Sequence, residues 1–260
     1  MDKNLYIFND IPFKADLYAI IKTCAAEEDY ELVAEIAEFV DKAEKVAKPK
    51  AILRYVSITH DDNGNVTAIE NTPCIDSTVL NKNLSGIDNA VAYVVTCGSE
   101  LDSVDCEYDP LQEYWLDLVK LQSLGAARKY ADVKIKELLS ADKIAHLNPG
   151  SLPQWPISQQ PSLFGYIGKV TESIGVELSS SHLMHPLKSS SGLAYPSETS
   201  YENCMICTNL KCPTAALHLT RKWQKNTEQA TAVIICKRKS PGSNPRLYFY
   251  ITFQFPDKYK

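Results

Sequence analysis

Three of the eight cysteines in this 260-residue chain fall within nine positions, as Cys204-x2-Cys207-x4-Cys212. Thiolates two residues apart on a turn can grip one metal ion or one cluster, and a third close by nearly completes a four-ligand set. The spacing fits zinc or an iron–sulfur cluster. It leaves the fourth ligand to a distant cysteine, a histidine or an open cluster position. Lys211, between the ligands, would offset part of the thiolate charge. The plain alternative is a group of oxidisable thiols. Cys24, Cys74, Cys97, Cys106 and Cys236 stand singly and are expected to be small buried hydrophobes.

A second stretch with chemical possibilities lies upstream, from His146 to Tyr195. Asn148-Pro149-Gly150, Trp155-Pro156 and Ser189-Ser190-Ser191-Gly192 are rich in small, hydroxylated and turn-forming residues. Such residues suit backbone lying close to a ligand better than a packed core. The serine run can cradle a phosphate or a polar cofactor edge through its amides and hydroxyls. Glu177, at a strand end, can meet a cationic ligand or simply be solvated. His182 and His185 are spaced i, i+3, but the serines before and Pro186 after them argue against a helix. They are left as loop residues lining a pocket or as an isolated metal pair. Tyr195 and Tyr201 can stack on a flat ligand. No Walker loop, Gly-x-Gly-x-x-Gly or Gly-x-Ser-x-Gly is present, so nucleotide hydrolysis and serine-hydrolase chemistry fall away.

Composition bounds the rest. A net charge of −5 argues against nucleic acid as the main partner, and 45% hydrophobic with 23% charged residues is ordinary for a globular protein. No apolar run approaches the roughly 20 residues of a membrane span. Met1-Asp2-Lys3-Asn4 lacks the charged-then-apolar pattern of a signal peptide, so the chain is expected to be cytoplasmic, where clustered cysteines point to metal or redox work rather than disulfides.

The elements that must position these groups are legible as periodicities. Leu32, Ile36, Phe39, Val40 and Ala43 recur at helical spacing between Asp29 and Lys48, with Pro49 as a stop. Ala51 to Thr59 and Val66 to Ile69 predict a hairpin around Asp61-Asp62-Asn63-Gly64-Asn65, a solvated turn without the ligand spacing of a calcium loop. A short helix is expected over Ser77 to Leu84 and a buried strand over Ala90 to Thr96. Asp109 caps a helix running to about Leu139, with Leu111, Trp115, Leu118, Ala126, Tyr130 and Val133 inward. In it Gly125-Ala126-Ala127 leaves room for another element, and Arg128 and Lys129 are read as solvated face. Ser158 is expected to cap one helix through about Thr171, and Pro213 to Gln229 to be helical. Thr231 to Lys237 and Leu247 to Phe255 predict a terminal hairpin, with Phe249, Ile251, Phe253 and Phe255 inward. The expectation is one α+β globule: a helical segment over 1–48, a core over 49–213, and a helix with a hairpin over 214–260.

In their order these motifs resemble a known family. Asn-Pro-Gly and Trp-Pro lead into Ile174-Gly175-Val176-Glu177-Leu178-Ser179-Ser180-Ser181-x-x-Met184-x-Pro186-x-Lys188-Ser189-Ser190-Ser191-Gly192. Upstream come Ile75-x-Ser77-x-x-Leu80-x-x-Asn83-Leu84 and Thr96-Cys97-Gly98-x-Glu100. Together, over roughly Pro49 to Pro213, they look like the activation domain of cobalamin-dependent methionine synthase, and more like the free-standing anaerobe proteins related to it. The resemblance implies a twisted, mostly antiparallel sheet with flanking helices. It also implies S-adenosylmethionine binding and docking on a corrinoid-binding methyltransferase protein, so that cob(II)alamin is reduced and remethylated. His146, Asn148, Pro149 and Gly150 would form one edge of the ligand pocket. Glu177, Ser181, Met184, Ser189, Ser191 and Gly192, with Tyr195, would form the other. The family's Arg-Pro-x-Pro-Gly-Tyr stands here as His146-Leu147-Asn148-Pro149-Gly150-Ser151, so a histidine occupies the position of an arginine suited to the ligand carboxylate. After Gly192 the family's aromatic pair is shifted, leaving Leu193-Ala194-Tyr195. In free-standing relatives, an iron–sulfur cluster on Cys204, Cys207 and Cys212 would hand an electron to cobalt. The competing reading is a non-catalytic binding module with structural zinc on the same cysteines. A self-sufficient methyltransferase would need the glycine-rich nucleotide loop that is missing.

Overall fold

The computed structural model describes residues 2–70, 72–73, 78–151, 154–198, 232–235 and 250–253. The first half runs β1 (Leu5–Phe8), α1 (Leu17–Thr23), α2 (Tyr30–Val46), β2 (Lys50–His60), β3 (Val66–Ile69), β4 (Thr72–Pro73), α3 (Thr78–Leu84) and β5 (Asn89–Thr96). A 3-10 turn at Ser99–Ser103 leads to α4 (Pro110–Leu139) and β6 (Ile144–Leu147). A second such turn at Ile157–Gln159 precedes α5 (Gln160–Ile167), α6 (Val170–Ile174), β7 (Glu177–Leu178), β8 (Met184–His185) and β9 (Ser189–Pro196). Last come β10 (Ala232–Ile235) and β11 (Tyr250–Phe253).

The fold is α+β. Its main sheet has seven strands in the order β4-β3-β2-β5-β9-β6, with β1 added along β2, and every pairing in it is antiparallel. β5 is central because its apolar run can be buried on both faces. Ala90, Ala92 and Val94 pack with Trp155, Leu163, Ile167 and Ile174 on the α5–α6 side. Val91, Tyr93 and Val95 pack with Ala127, Ala131 and Ile135 of α4 on the other. A third cluster joins α1 and α2 to the start of α4 through Ile20, Ile36, Phe39, Val40, Leu101 and Trp115. Contacts divide the chain into two units, Met1–Ile206 and Cys207–Lys260. In the second, β10 and β11 pair antiparallel with Ala232 opposite Phe253, in keeping with the terminal hairpin. Cys204, Cys207, Cys212, Tyr201 and the helix expected over 213–229 lie outside the described residues.

Local signals hold where a single group enforces them. Asp109 accepts from the Leu111 amide, so the predicted cap forms, and the Asp29 side chain caps α2 in the same way by accepting from the Leu32 amide. Asp61 accepts from the amides of Asn63 and Asn65, which turns its carboxylate into the hairpin loop. Cys97 is fully buried, and burial pushes its thiol up to about 11, as suits an inert core cysteine.

Three expectations are corrected. The inward face of α4 is Trp115, Leu116, Val119, Ser123, Ala127, Ala131 and Ile135, while Leu111 and Val133 are more than half exposed. Small residues at i, i+4 spacing let the helix lie close to the sheet, and that close approach outweighs the size of the apolar side chains in choosing the face. Gly125 is not where another element comes in: nothing lies within 4 Å of a Cβ built there. Gly125→Ala is therefore expected to raise stability by about 1 kcal/mol, read as a higher urea midpoint at unchanged slope. Nor does Ser158 begin one long helix. α5 starts at Gln160, and Gly168 and Lys169 take left-handed values (φ 68° and 55°) that separate it from α6.

Candidate functional site

β6 and β9 lie side by side with His146 opposite Ala194 and Leu147 opposite Leu193. This register brings the Asn148-Pro149-Gly150 run against the Ser189–Gly192 run, more than 40 positions later in the chain. Asn148 closes the junction: its side-chain nitrogen donates to the Ser191 carbonyl at 2.6 Å and to the Tyr93 hydroxyl at 2.9 Å. Gly192 makes this possible. A Cβ there would collide with the Leu147 carbonyl oxygen and come within 2.6 Å of the Asn148 nitrogen and 2.9 Å of the Tyr93 hydroxyl. Pro149 is buried, and Gly150, in a left-handed conformation (φ 81°), donates its N–H to the Trp155 carbonyl at 2.7 Å. The loop is thereby folded onto a buried tryptophan.

Strand alternation sends the neighbouring side chains to opposite faces. His146 points toward α4: its ring meets that of Tyr93 edge-on at 5.5 Å, and its Nε2 lies 3.4 Å from Asp132 Oδ1. It is 3% exposed, and burial pushes its pKa down to about 3, with the positive charges of Arg128 and Lys136 acting in the same direction. The Asp132 carboxylate pulls the other way and is outweighed, so His146 is neutral near pH 7. Ser191 and Tyr195 use the other face. The Ser191 hydroxyl accepts from Gln160 of α5 at 2.6 Å, and the Tyr195 hydroxyl donates to Asn83 at 3.2 Å. Ser189, where β9 begins, donates to the Pro186 carbonyl at 2.7 Å and lies 2.9 Å from the Thr96 hydroxyl.

The remaining expected residues belong to the β7–β8 ribbon, where Glu177 faces His185 and Leu178 faces Met184. Ser181 is in its tip, hydroxyl to hydroxyl with Ser179 at 2.9 Å, and His182 takes a left-handed turn (φ 64°). Met184 packs against the core. Glu177 lines a cleft of about 380 Å³ formed with residues of α4 and the Ser99–Ser103 turn; His185, expected to line a pocket, lines it too, and none of the other residues expected at the ligand edges does. The structure thus gathers Asn148, Ser191 and Gly192 into one junction, puts His146 and Tyr195 on opposite sides of the sheet, and sets Glu177 in a separate cleft. Among the described residues, no three His, Cys, Asp or Glu side chains form a metal-holding group.

Tyr93, Gln160, Asp132 and Arg128 escaped sequence reasoning. Only Tyr93 carried a signal, as the one side chain with a polar tip between Ala90 and Val95. Asp132 and Arg128 sit on α4, whose buried face differs from the one its large apolar residues predict, and Arg128 is half-buried rather than solvated.

No known family model matches the chain, and no curated protein matches it by sequence. Among solved structures, the crystal structure of the MetH reactivation domain bound to AdoHcy is similar with a TM-score of 0.51 and 14% identity, over 85% of this chain and 88% of that one. At that identity the likeness shows the fold: the chain has the architecture of the MetH reactivation domain. No helix among the described residues is long and apolar enough to cross a membrane.

Proposed function

We propose that this protein is a reactivation or accessory factor for a cobalamin-dependent methionine synthase or methyltransferase. It would support the reductive remethylation of cob(II)alamin on a separate corrinoid protein. The observation that carries this is the junction of the two sequence runs on which the family resemblance rests: Asn148 is bound to Ser191, and Gly192 lies under the Leu147 carbonyl. The shared fold supports the same reading, and the related structure holds AdoHcy, the product left when S-adenosylmethionine gives up its methyl group.

In this proposal S-adenosylmethionine lies along the His146–Gly150 edge of the sheet. His146, neutral and buried, cannot give a ligand carboxylate the bidentate, charge-assisted contact of an arginine. Positive charge at this edge comes instead from α4, where Arg128 and Lys136 act on His146. Asn148 holds the Ser191 carbonyl and Gln160 the Ser191 hydroxyl, one from each side of the sheet, and so they fix the wall of the pocket. Cys204, Cys207 and Cys212 are assigned to an iron–sulfur cluster, which would supply one electron at low potential. Structural zinc on the same cysteines, in a non-catalytic binding module, is the alternative.

The test is binding, without oxygen, to a corrinoid-binding methyltransferase module loaded as cob(II)alamin or as methylcobalamin. Preference for the cob(II)alamin form is expected; equal or absent binding would sink the proposal. Iron with acid-labile sulfide, lost when the three cysteines become serine, separates electron delivery from the alternative, for which zinc alone is expected.

A further inference from the structure

The cleft beside the β7–β8 ribbon holds an alternating row of charges. Asp117 and Lys120 are three residues apart on α4, so their side chains leave the same face of the helix. Lys120 pairs with Asp102 of the 3-10 turn at 2.5 Å, and Asp117 pairs with Lys188, just before β9, at 2.9 Å. The row therefore reads acid, base, acid, base through Asp102, Lys120, Asp117 and Lys188, and all four line the cleft. Glu177 and His185 line it too; as cross-strand partners they leave one face of the ribbon, and Glu177 stands outside both ion pairs. The volume of about 380 Å³ falls at the small end of the range for ligand sites.

We propose that this cleft binds a small zwitterion of the α-amino-acid class, its carboxylate joining the free donors of Lys120 or Lys188 on the cleft side and its ammonium toward Glu177 and Asp117. Each lysine ammonium has three donors, so a second carboxylate can join it without displacing the aspartate. A polyanion would meet three carboxylates against two ammonium groups. An apolar ligand would strip water from all five without replacing it. A zwitterion answers both signs at the short spacing the row presents. Occupancy of this cleft is independent of the corrinoid role and of the His146–Gly192 edge.

The test is a titration of the isotope-labelled full chain, followed by amide NMR, with glycine, L-serine and L-leucine as probes. Acetate and methylamine, each carrying half of the zwitterion, are the controls. Saturable shifts at Ser99, Gly175 and Leu187 are expected with the amino acids, at concentrations where neither control produces them. Glu177→Gln and Lys188→Met are each expected to weaken binding about tenfold, the effect of one charge-assisted hydrogen bond. Glu177 is exposed and Lys188 half-buried at the rim, and unchanged shifts at Ala92 and Val94 in β5 will show that both variants remain folded. Absent saturation, an equal response to acetate or methylamine, or unchanged affinity in Glu177→Gln would overturn the proposal.

Discussion

Gly192→Ala is expected to destabilise the protein by about 3 kcal/mol and to remove the S-adenosylmethionine binding proposed along the β6–β9 edge. The new methyl would collide with the Leu147 carbonyl oxygen, which belongs to the neighbouring strand and cannot move without opening the pairing of β6 with β9. Its next contacts are the Asn148 nitrogen at 2.6 Å and the Tyr93 hydroxyl at 2.9 Å. Swinging Asn148 aside would sacrifice its bonds to both Ser191 and Tyr93. Overpacking of this kind typically costs about 1–3 kcal/mol, and the lost hydrogen bonds to a buried tyrosine and a strand carbonyl add to it. Urea unfolding measures the loss, and Gly125→Ala is the matched control, the same chemical change with the opposite sign expected. Equal stability of Gly192→Ala and the parent protein would mean that the junction is not as tight as described.

The second large effect is a loss of stability in mild acid that traces to His146. Its folded pKa is depressed to about 3 from an ordinary value of 6.5, chiefly by burial. Between those limits the unfolded chain binds a proton that the folded chain refuses. The contribution of the neutral ring is therefore complete above about pH 6.5 and is lost progressively as pH falls toward 3, by up to about 1.4 kcal/mol per pH unit. Between pH 7 and pH 5 this amounts to about 2 kcal/mol. Carboxylates also titrate toward the acid end, so the measurement is a comparison: His146→Gln should lose less stability than the parent between pH 7 and pH 5. Parallel pH profiles for the two proteins would show that His146 is not held neutral by the fold. The same neutrality bears on the proposed function, because an uncharged ring beside Asp132 leaves Arg128 and Lys136 of α4 as the positive charges acting there.

The sequence by itself determined those features that one residue or one short run can enforce. The caps at Asp29 and Asp109, the Asp61 turn, the buried run of β5 and the terminal hairpin all follow from groups that act on their immediate neighbours. Asn148, Ser191 and Gly192 stand in runs of residue types that suit backbone lying close to a ligand, and the family resemblance is what implies that they share a pocket. Tertiary structure alone decided which of the marked residues meet. Strand register put Asn148 against Ser191, and the two-residue alternation of β9 turned Ser191 and Tyr195 toward α5 and α3, away from His146. The face of α4 was decided the same way. Its buried stripe is chosen by how closely Ala127 and Ala131 let the helix approach Val91, Tyr93 and Val95, a property of two surfaces that neither carries alone. Asp132, Arg128 and the charge row from Asp102 to Lys188 become visible only after that packing is fixed, because charges far apart in sequence acquire meaning from the distance between them.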